Sequence, residues 1–307
     1  MRVAFLLLAA SLCGQTPPAD LAALRPLFEQ RLAARERELG PEHPKVARSA
    51  SDLGLFLRAH GDPAAADRAL RRALEIDQNA LGDRDPLVAA DRENLAELLE
   101  PGGRLDEAAA LYRLAADGPD IAIQARCLAR LGGFEESRGS FDTAEALYRK
   151  ALAAEETASG KNGARVAVRL NDLALLLEAK DDFQSAEPLL RRALAIQEKA
   201  LGPQHPETAV TLNNLASLLL VGRKITIAET MQRRAVRILE DNLGPGNPRI
   251  ATACSNLADI LRAKGDRASA ERLYQRAIAI DEVVYGPDHP DIALYREKLA
   301  SLRAARP

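Results

Sequence analysis

Apolar positions along this chain recur at the spacing of a helix. Over residues 207–221, Leu212, Leu215, Ala216 and Leu219 fall on one face, the pattern of an amphipathic helix buried along one stripe. Over residues 226–241, Ala228, Met231, Ala235 and Ile238 do the same, and Gly222 separates the two runs. The segment therefore predicts a helix A, a turn and a helix B. The same pattern returns along the chain. A Leu-Ala or Leu-Gly pair in helix A begins at Leu53, Leu95, Leu131, Leu173, Leu215, Leu257 and Leu299. Twelve residues after the second member of the first six pairs comes a helix-B alanine: Ala66, Ala108, Ala144, Ala186, Ala228 and Ala270. Seven residues further on comes another, running from Ala73 to Ala277. Small side chains at fixed points let two helices approach closely, so these read as contact positions.

The segments between the helices carry the period. Leu39-Gly40-Pro41-Glu42-His43-Pro44 recurs as Leu201-Gly202-Pro203-Gln204-His205-Pro206, and weaker copies begin at Leu81, Leu243 and Tyr285. The steps from 39 to 81, 201 to 243 and 243 to 285 are each 42 residues. Self-similarity at such a period marks a solenoid, in which each repeat is one structural unit and the core forms by stacking. Full units start at 39, 81, 117, 159, 201 and 243, so residues 39–284 hold six. The step from 81 to 117 is six residues short, which trims the second helix B to about Leu105–Ala116. Residues 20–38 read as an unpaired helix B and residues 285–307 as an unpaired capping helix A. The fold class is all-α, with fourteen helices. Within the repeated string, glycine ends one helix and the second proline opens the next at its first position. His43, His205 and His289 sit where other units have Asp85 and Asn247. The residue there is predicted to cap the helix N-terminus.

Composition narrows the function classes. Apolar content is 47% with only 4% aromatics and no tryptophan, so alanine and leucine supply the core. The 42 basic and 44 acidic residues nearly cancel, to a net charge of −2. That balance offers no global attraction to nucleic acid or to an anionic membrane. Cys13, Cys127 and Cys254 do not form a disulfide framework. The N-terminus pairs Met1-Arg2 with an apolar run from Val3 to Leu12, too short to span a bilayer. Residues 1–14 are read as a signal peptide cleaved near Gly14, which exports the chain to the periplasm or beyond and leaves no membrane insertion once it is removed. An apolar tail docking on the first helix is the other reading. Lipid attachment at Cys13 is disfavoured, because the preceding residue is Leu12 where such signals have a small one.

The Leu-Gly…Ala…Ala spacing, with Tyr112, Tyr148 and Tyr274 four residues after the first helix-B alanine, resembles the tetratricopeptide repeat. The 42-residue period and the run from Leu201 to Ala216 resemble the longer variant found in kinesin light chains. The resemblance covers roughly residues 20–304. It implies a right-handed superhelix of helical hairpins whose helices A line a concave groove. It also implies a non-catalytic scaffold that binds a protein or peptide ligand there. An alternative is a structural or accessory subunit acting through its end repeats. By similarity, the groove-facing residues are the two before each Leu-Ala pair, together with neighbours on helix A. The candidates are Asn94, Arg130, Asn171, Asp172, Asn213, Asn214, Asn256 and Arg262. Each asparagine offers a donor and an acceptor, which suits a ladder along a peptide backbone. The same amides suit hydrogen bonds between neighbouring helices of the stack. The paired cations of the carboxylate clamp found in co-chaperone relatives are not matched. Glu93, Glu97, Glu100 and Asp172 stand among Arg48, Arg126, Arg130 and Arg262.

Nothing in the sequence points to catalysis. No His-x-x-x-His pair, Cys-x-x-Cys pair or phosphate-cradling glycine loop occurs, so no metal site and no cofactor are expected. Cys127 and Cys254 are predicted to be buried free thiols. Gly132-Gly133 inside a helix A costs about 1 kcal/mol per glycine relative to alanine, which predicts a bend or looser packing in the third unit.

Overall fold

The computed structural model describes residues 24–304, so the segment read as a signal peptide, with Cys13, lies outside the described residues. Fourteen helices are present there. They are α1 (Arg25–Leu39), α2 (Pro44–Ala59), α3 (Pro63–Leu81), α4 (Pro86–Leu99), α5 (Leu105–Ala116), α6 (Ile121–Ser137) and α7 (Phe141–Ser159), then α8 (Ala164–Ala179), α9 (Phe183–Ala200), α10 (Pro206–Val221), α11 (Ile225–Leu243), α12 (Pro248–Lys264), α13 (Arg267–Tyr285) and α14 (Pro290–Ala304). Two compact units divide the chain, residues 1–158 and residues 159–307. In the first, α1 packs on α2, followed by the hairpins α2–α3 and α4–α5, and α7 returns along α6, with Tyr148 against Gly132 and bonded to Glu136. In the second, the hairpins α8–α9, α10–α11 and α12–α13 are closed by α14.

The capping residues behave as their position dictates. Nδ1 of His43 accepts from the backbone N–H of Lys45 at 3.1 Å, and that of His205 from Glu207 at 3.1 Å. Asp85 and Asn247 do the same for Leu87 and Arg249 at 2.8 and 3.0 Å. Each satisfies one of the donors a helix start leaves open. His60 is different: it follows α2 and stacks on Phe56 with ring centroids 4.0 Å apart.

The small residues mark where helices touch. Ala66, Ala108, Ala144, Ala186, Ala228 and Ala270 have no exposed surface, and neither do the second alanines from Ala73 to Ala277. Around them the leucines fill the core. Leu70, Leu95, Leu212 and Leu215 are fully buried, each worth about 1.5–3 kcal/mol by removal of apolar surface from water.

The Gly132-Gly133 pair departs from expectation. Helix α6 runs through it unbroken. A Cβ at Gly132 would lie 2.8 Å from Cε1 of Tyr148 on α7. The glycine therefore serves close packing: the tyrosine ring occupies the space a side chain would need. Another irregularity lies in the A–B turns. Every hairpin places one residue there in the left-handed region. It is glycine at Gly61, Gly103, Gly139 and Gly265, but Asp181 (φ 61°) and Arg223 (φ 57°) in the other two.

Candidate functional site

In the second unit the asparagines of α8, α10 and α12 form a connected ladder. Asn171 is buried on α8. Its Nδ2 donates to the carbonyl of Ala167 at 2.9 Å and to Thr211 Oγ1 at 2.7 Å, and its Oδ1 accepts from Asn214 Nδ2 at 3.2 Å. One helix on, Oδ1 of Asn213 accepts from Asn256 Nδ2 at 2.9 Å and from Gln232 Nε2 at 2.7 Å. Gln232, fully buried on α11, donates as well to the carbonyl of Ala253 at 2.9 Å. The ladder thus stitches consecutive helices A together. It also leaves groups over. Asn214 and Asn256 each retain a carbonyl oxygen and one N–H without a partner among the described residues, and both side chains are half-buried. Leu175 on α8 and Val221 on α10 are exposed.

The charged candidates of this unit are paired. Asp172 accepts from Arg169 at 2.7 Å. Asp259 accepts from Tyr274 Oη and Lys298 Nζ, both at 2.6 Å, with Arg262 at 3.5 Å. Arg262 itself is half-exposed at the edge of this cluster.

The first unit uses other chemistry at the same positions. Glu93 stands where Asn171 and Asn213 stand. Its two oxygens accept from Nε and Nη2 of Arg126 on α6 at 2.5 and 2.6 Å. This bidentate bond, with the charge of Glu93, holds the Arg126 guanidinium above its ordinary pKa against the effect of burial. Arg58 pairs with Glu97 at 2.8 Å, and Arg130, largely exposed, lies 3.8 Å from Glu100. Asn94 lines a cavity of about 350 Å³ between α2, α3 and α4, with Lys45, Arg48, Asp52, Leu55 and Leu87. The structure therefore brings Asn171 to Asn214 and Asn213 to Asn256 by direct hydrogen bonds. Asn94 and Arg130 sit in separate settings of the first unit.

Comparison with known proteins places this architecture. The tetratricopeptide repeat pattern matches residues 20–79, 124–199 and 170–241, and a second pattern of that repeat matches residues 250–291. The chain belongs to the tetratricopeptide-repeat family. Among solved structures it is similar to BtubC (BKLC) of P. vanneervenii, at 24% identity over 74% of this chain and 92% of that one, with a TM-score of 0.62. It is similar also to the APC/C hetero-tetramer Cut9–Hcn1, at 17% identity over 92% of this chain and 48% of that one, with a TM-score of 0.63. A Podospora anserina chain built of nearly identical, kinesin-light-chain TPR-like repeats matches at 20% identity over 79% of this chain and 98% of that one, with a TM-score of 0.40. The first two likenesses show the fold of a tetratricopeptide solenoid. No curated protein matches the chain.

The family tyrosines each serve a carboxylate. Tyr112 Oη donates to Glu100, Tyr148 Oη to Glu136 at 2.9 Å and Tyr274 Oη to Asp259 at 2.6 Å. Each bond ties helix B to the end of its own helix A. Gln232 takes the same repeat position in α11 and turns its amide to the ladder instead. A polar side chain at a site otherwise held by tyrosine or leucine was the signal in the sequence for this partner. Thr211, Asp77 and Asp91 were the other polar groups that apolar periodicity did not mark. Burial pushes the Cys254 thiol up to about 11 and the Cys127 thiol further still, so both remain protonated and unreactive near neutrality. Among the described residues, no three His, Cys, Asp or Glu side chains are grouped as metal ligands would be, and no helix is long and apolar enough to cross a membrane.

Proposed function

We propose that this protein is a non-catalytic scaffold that binds a protein or peptide along the face carried by its helices A. Tetratricopeptide repeats as a family support protein–protein interaction. The observation in this chain that supports the location is the pair of half-satisfied amides at Asn214 and Asn256. They stand one repeat apart, each with a free acceptor and a free donor, and helices A of the same unit carry exposed Leu175 and Val221. An extended peptide backbone presents the complementary alternation of N–H and C=O, and the apolar neighbours supply area that excludes water. Paired charges along the face favour a ligand without strong net charge. Export by residues 1–14 would place this scaffold outside the cytoplasm.

A second reading has one observation in its favour. At the α13–α14 junction Val283 is 87% exposed, and Val284 and Tyr285 are about half exposed. That apolar patch suits an accessory subunit docking through its last repeats. The two readings separate in one experiment. Partners captured from the exported fraction by the intact protein are compared with those captured by Asn214→Ala/Asn256→Ala and by Val283→Lys. The helix-A reading expects loss with the double variant and retention with Val283→Lys, at unchanged helicity. The reverse result assigns binding to the last repeats. Asn213 is the poorer choice for this test, because its oxygen also holds Gln232 and Asn256.

A further inference from the structure

The floor of the cavity in the first unit carries two carboxyl groups that face each other. Asp77 on α3 and Asp91 on α4 are both at least 95% buried, at 4% and 5% exposure. Both line the same cavity, close enough for the charge of one to act on the other, and Oδ1 of Asp77 and Oδ2 of Asp91 are sealed from solvent and find no N–H or O–H donor. Two carboxylates have only acceptors to offer, so a bond between them requires a proton on one. The remaining oxygen of the pair with a donor is Oδ1 of Asp91, which accepts from Ser51 Oγ on α2 at 3.1 Å.

The position is particular to this repeat. Four residues after the second helix-B alanine, Asp77 corresponds to Gln197, Leu239 and Asp281 of the second unit. Four residues before the Leu-Ala pair, Asp91 corresponds to Thr211, Ala253 and Tyr295. Where an acid recurs, at Glu155 and Asp281, the residue at the facing position is Arg169 or Tyr295, a side chain with a proton to donate. At Asp77 the facing residue is a second acid.

We propose that Asp77 and Asp91 share a single proton, and that losing it above neutral pH loosens α3 against α4 and makes the cavity they floor pH-responsive.

Among the described residues, no cation is placed to take the proton's part. From α2, Arg48 attracts both carboxyls but is exposed and lies 3.8 Å from Asp52, and Lys45 stands at the rim. From the start of α4, Asp85 adds a repulsion on Asp77. From α6, Arg126 is held by Glu93. From α5, Glu107 is taken up by Arg71 and Arg104, and Arg72 of α3 is taken up by Glu36 of α1. Burial first, and then the neighbouring Asp77 charge, push the Asp91 carboxyl up to about 7 from its usual 3.8, and burial raises Asp77 as well. Between those values the folded chain holds a proton that the unfolded chain has released. Stability therefore falls as pH rises through that window. Above it the folded pair itself is stripped, and two buried charges oppose each other. The cavity at their side gives water a route for the exchange.

The test uses the full chain. Infrared spectra across a titration should show the carbonyl band of a buried protonated carboxyl disappearing with a midpoint near 7. Asp91→Asn should lack that band and Asp52→Asn should keep it. Hydrogen exchange, corrected for intrinsic rates, should show protection in α3 and α4 dropping at least ~10-fold between about pH 6 and about pH 8.5, with α8–α14 unchanged. In Asp91→Asn the protection should be flat with pH. Should that variant fail to fold, Asp77→Asn carries the same expectation. A wild-type protein without the protonated band at about pH 6, or with equal α3–α4 protection at both pH values, overturns the proposal.

Discussion

The two units build the same hairpins from the same spacing and fill the polar position two before the Leu-Ala pair with different chemistry. In the second unit, neutral amides join α8 to α10 and α10 to α12, through Asn171–Asn214 and Asn213–Asn256, while ions join helices A at Arg249–Glu207 near the helix starts and at Lys298–Asp259 between α12 and α14. In the first, ions do the joining: Glu93 grips Arg126 and Arg58 grips Glu97, while the Asp77–Asp91 pair ties a helix B, α3, to the next helix A, α4. The alanine contacts that set the helix spacing are fully buried in both. Backbone geometry is thus fixed by the small residues, and the polar position two before the Leu-Ala pair is free to vary so long as it finds a partner. The consequence is a difference in sensitivity. Amide ladders are indifferent to pH and weakly affected by salt, whereas ion pairs and shared protons respond to pH or salt according to their exposure.

Four substitutions would break or sharpen that contrast, taken from the largest expected effect to the smallest. Glu93→Ala leaves Arg126 without its bidentate partner in a largely buried place and should destabilise the first unit by about 3 kcal/mol, reduced somewhat by the partial exposure of Arg126. Hydrogen exchange resolved by helix would locate the loss in α4–α6, and an equal loss in α8–α12 would show that the two units unfold together. Asn171→Ala removes three hydrogen bonds from a buried side chain and should cost about 2 kcal/mol in the second unit. Denaturant midpoints at low and high salt should shift alike for this variant, which separates it from an ionic site. Gly132→Ala presses a methyl group into the Tyr148 ring and should cost about 1–2 kcal/mol. Thermal unfolding that is unaffected would mean the ring can step aside. Arg223→Gly relieves a left-handed residue in the α10–α11 turn and should stabilise by about 0.5–1 kcal/mol. The equivalent turn of the first unit already has glycine at Gly103, so the gain is confined to the second.

Much of this was legible in the sequence. The period, the hairpin order, the short α5 from Leu105 to Ala116 and the capping role of His43 and His205 all follow from local rules of spacing and helix ends. The ladder was half legible. Its members were visible as asparagines two and one before the Leu-Ala pair. Their partners lie 40 to 43 residues away, close to one full repeat, so the period predicts which helices they reach. It does not say which atom answers. Thr211 and Gln232 entered the network because each faces the stack from a position that apolar periodicity marks as core. Gly132 was misread for a related reason: helix propensity counts what a glycine lacks, whereas its use here is the space it leaves for Tyr148. The Asp77–Asp91 pair could not be read from charge patterning, since only their burial against each other makes a proton necessary.

The central claim is that ligand binding rests on the helices A. Hydrogen exchange of the intact protein, with and without a partner captured from the exported fraction, measures it most directly. Added protection should concentrate on α8, α10 and α12 and be lost in Asn214→Ala/Asn256→Ala. Protection confined to Val283–Tyr285 and α14, unchanged by the double variant, would contradict it.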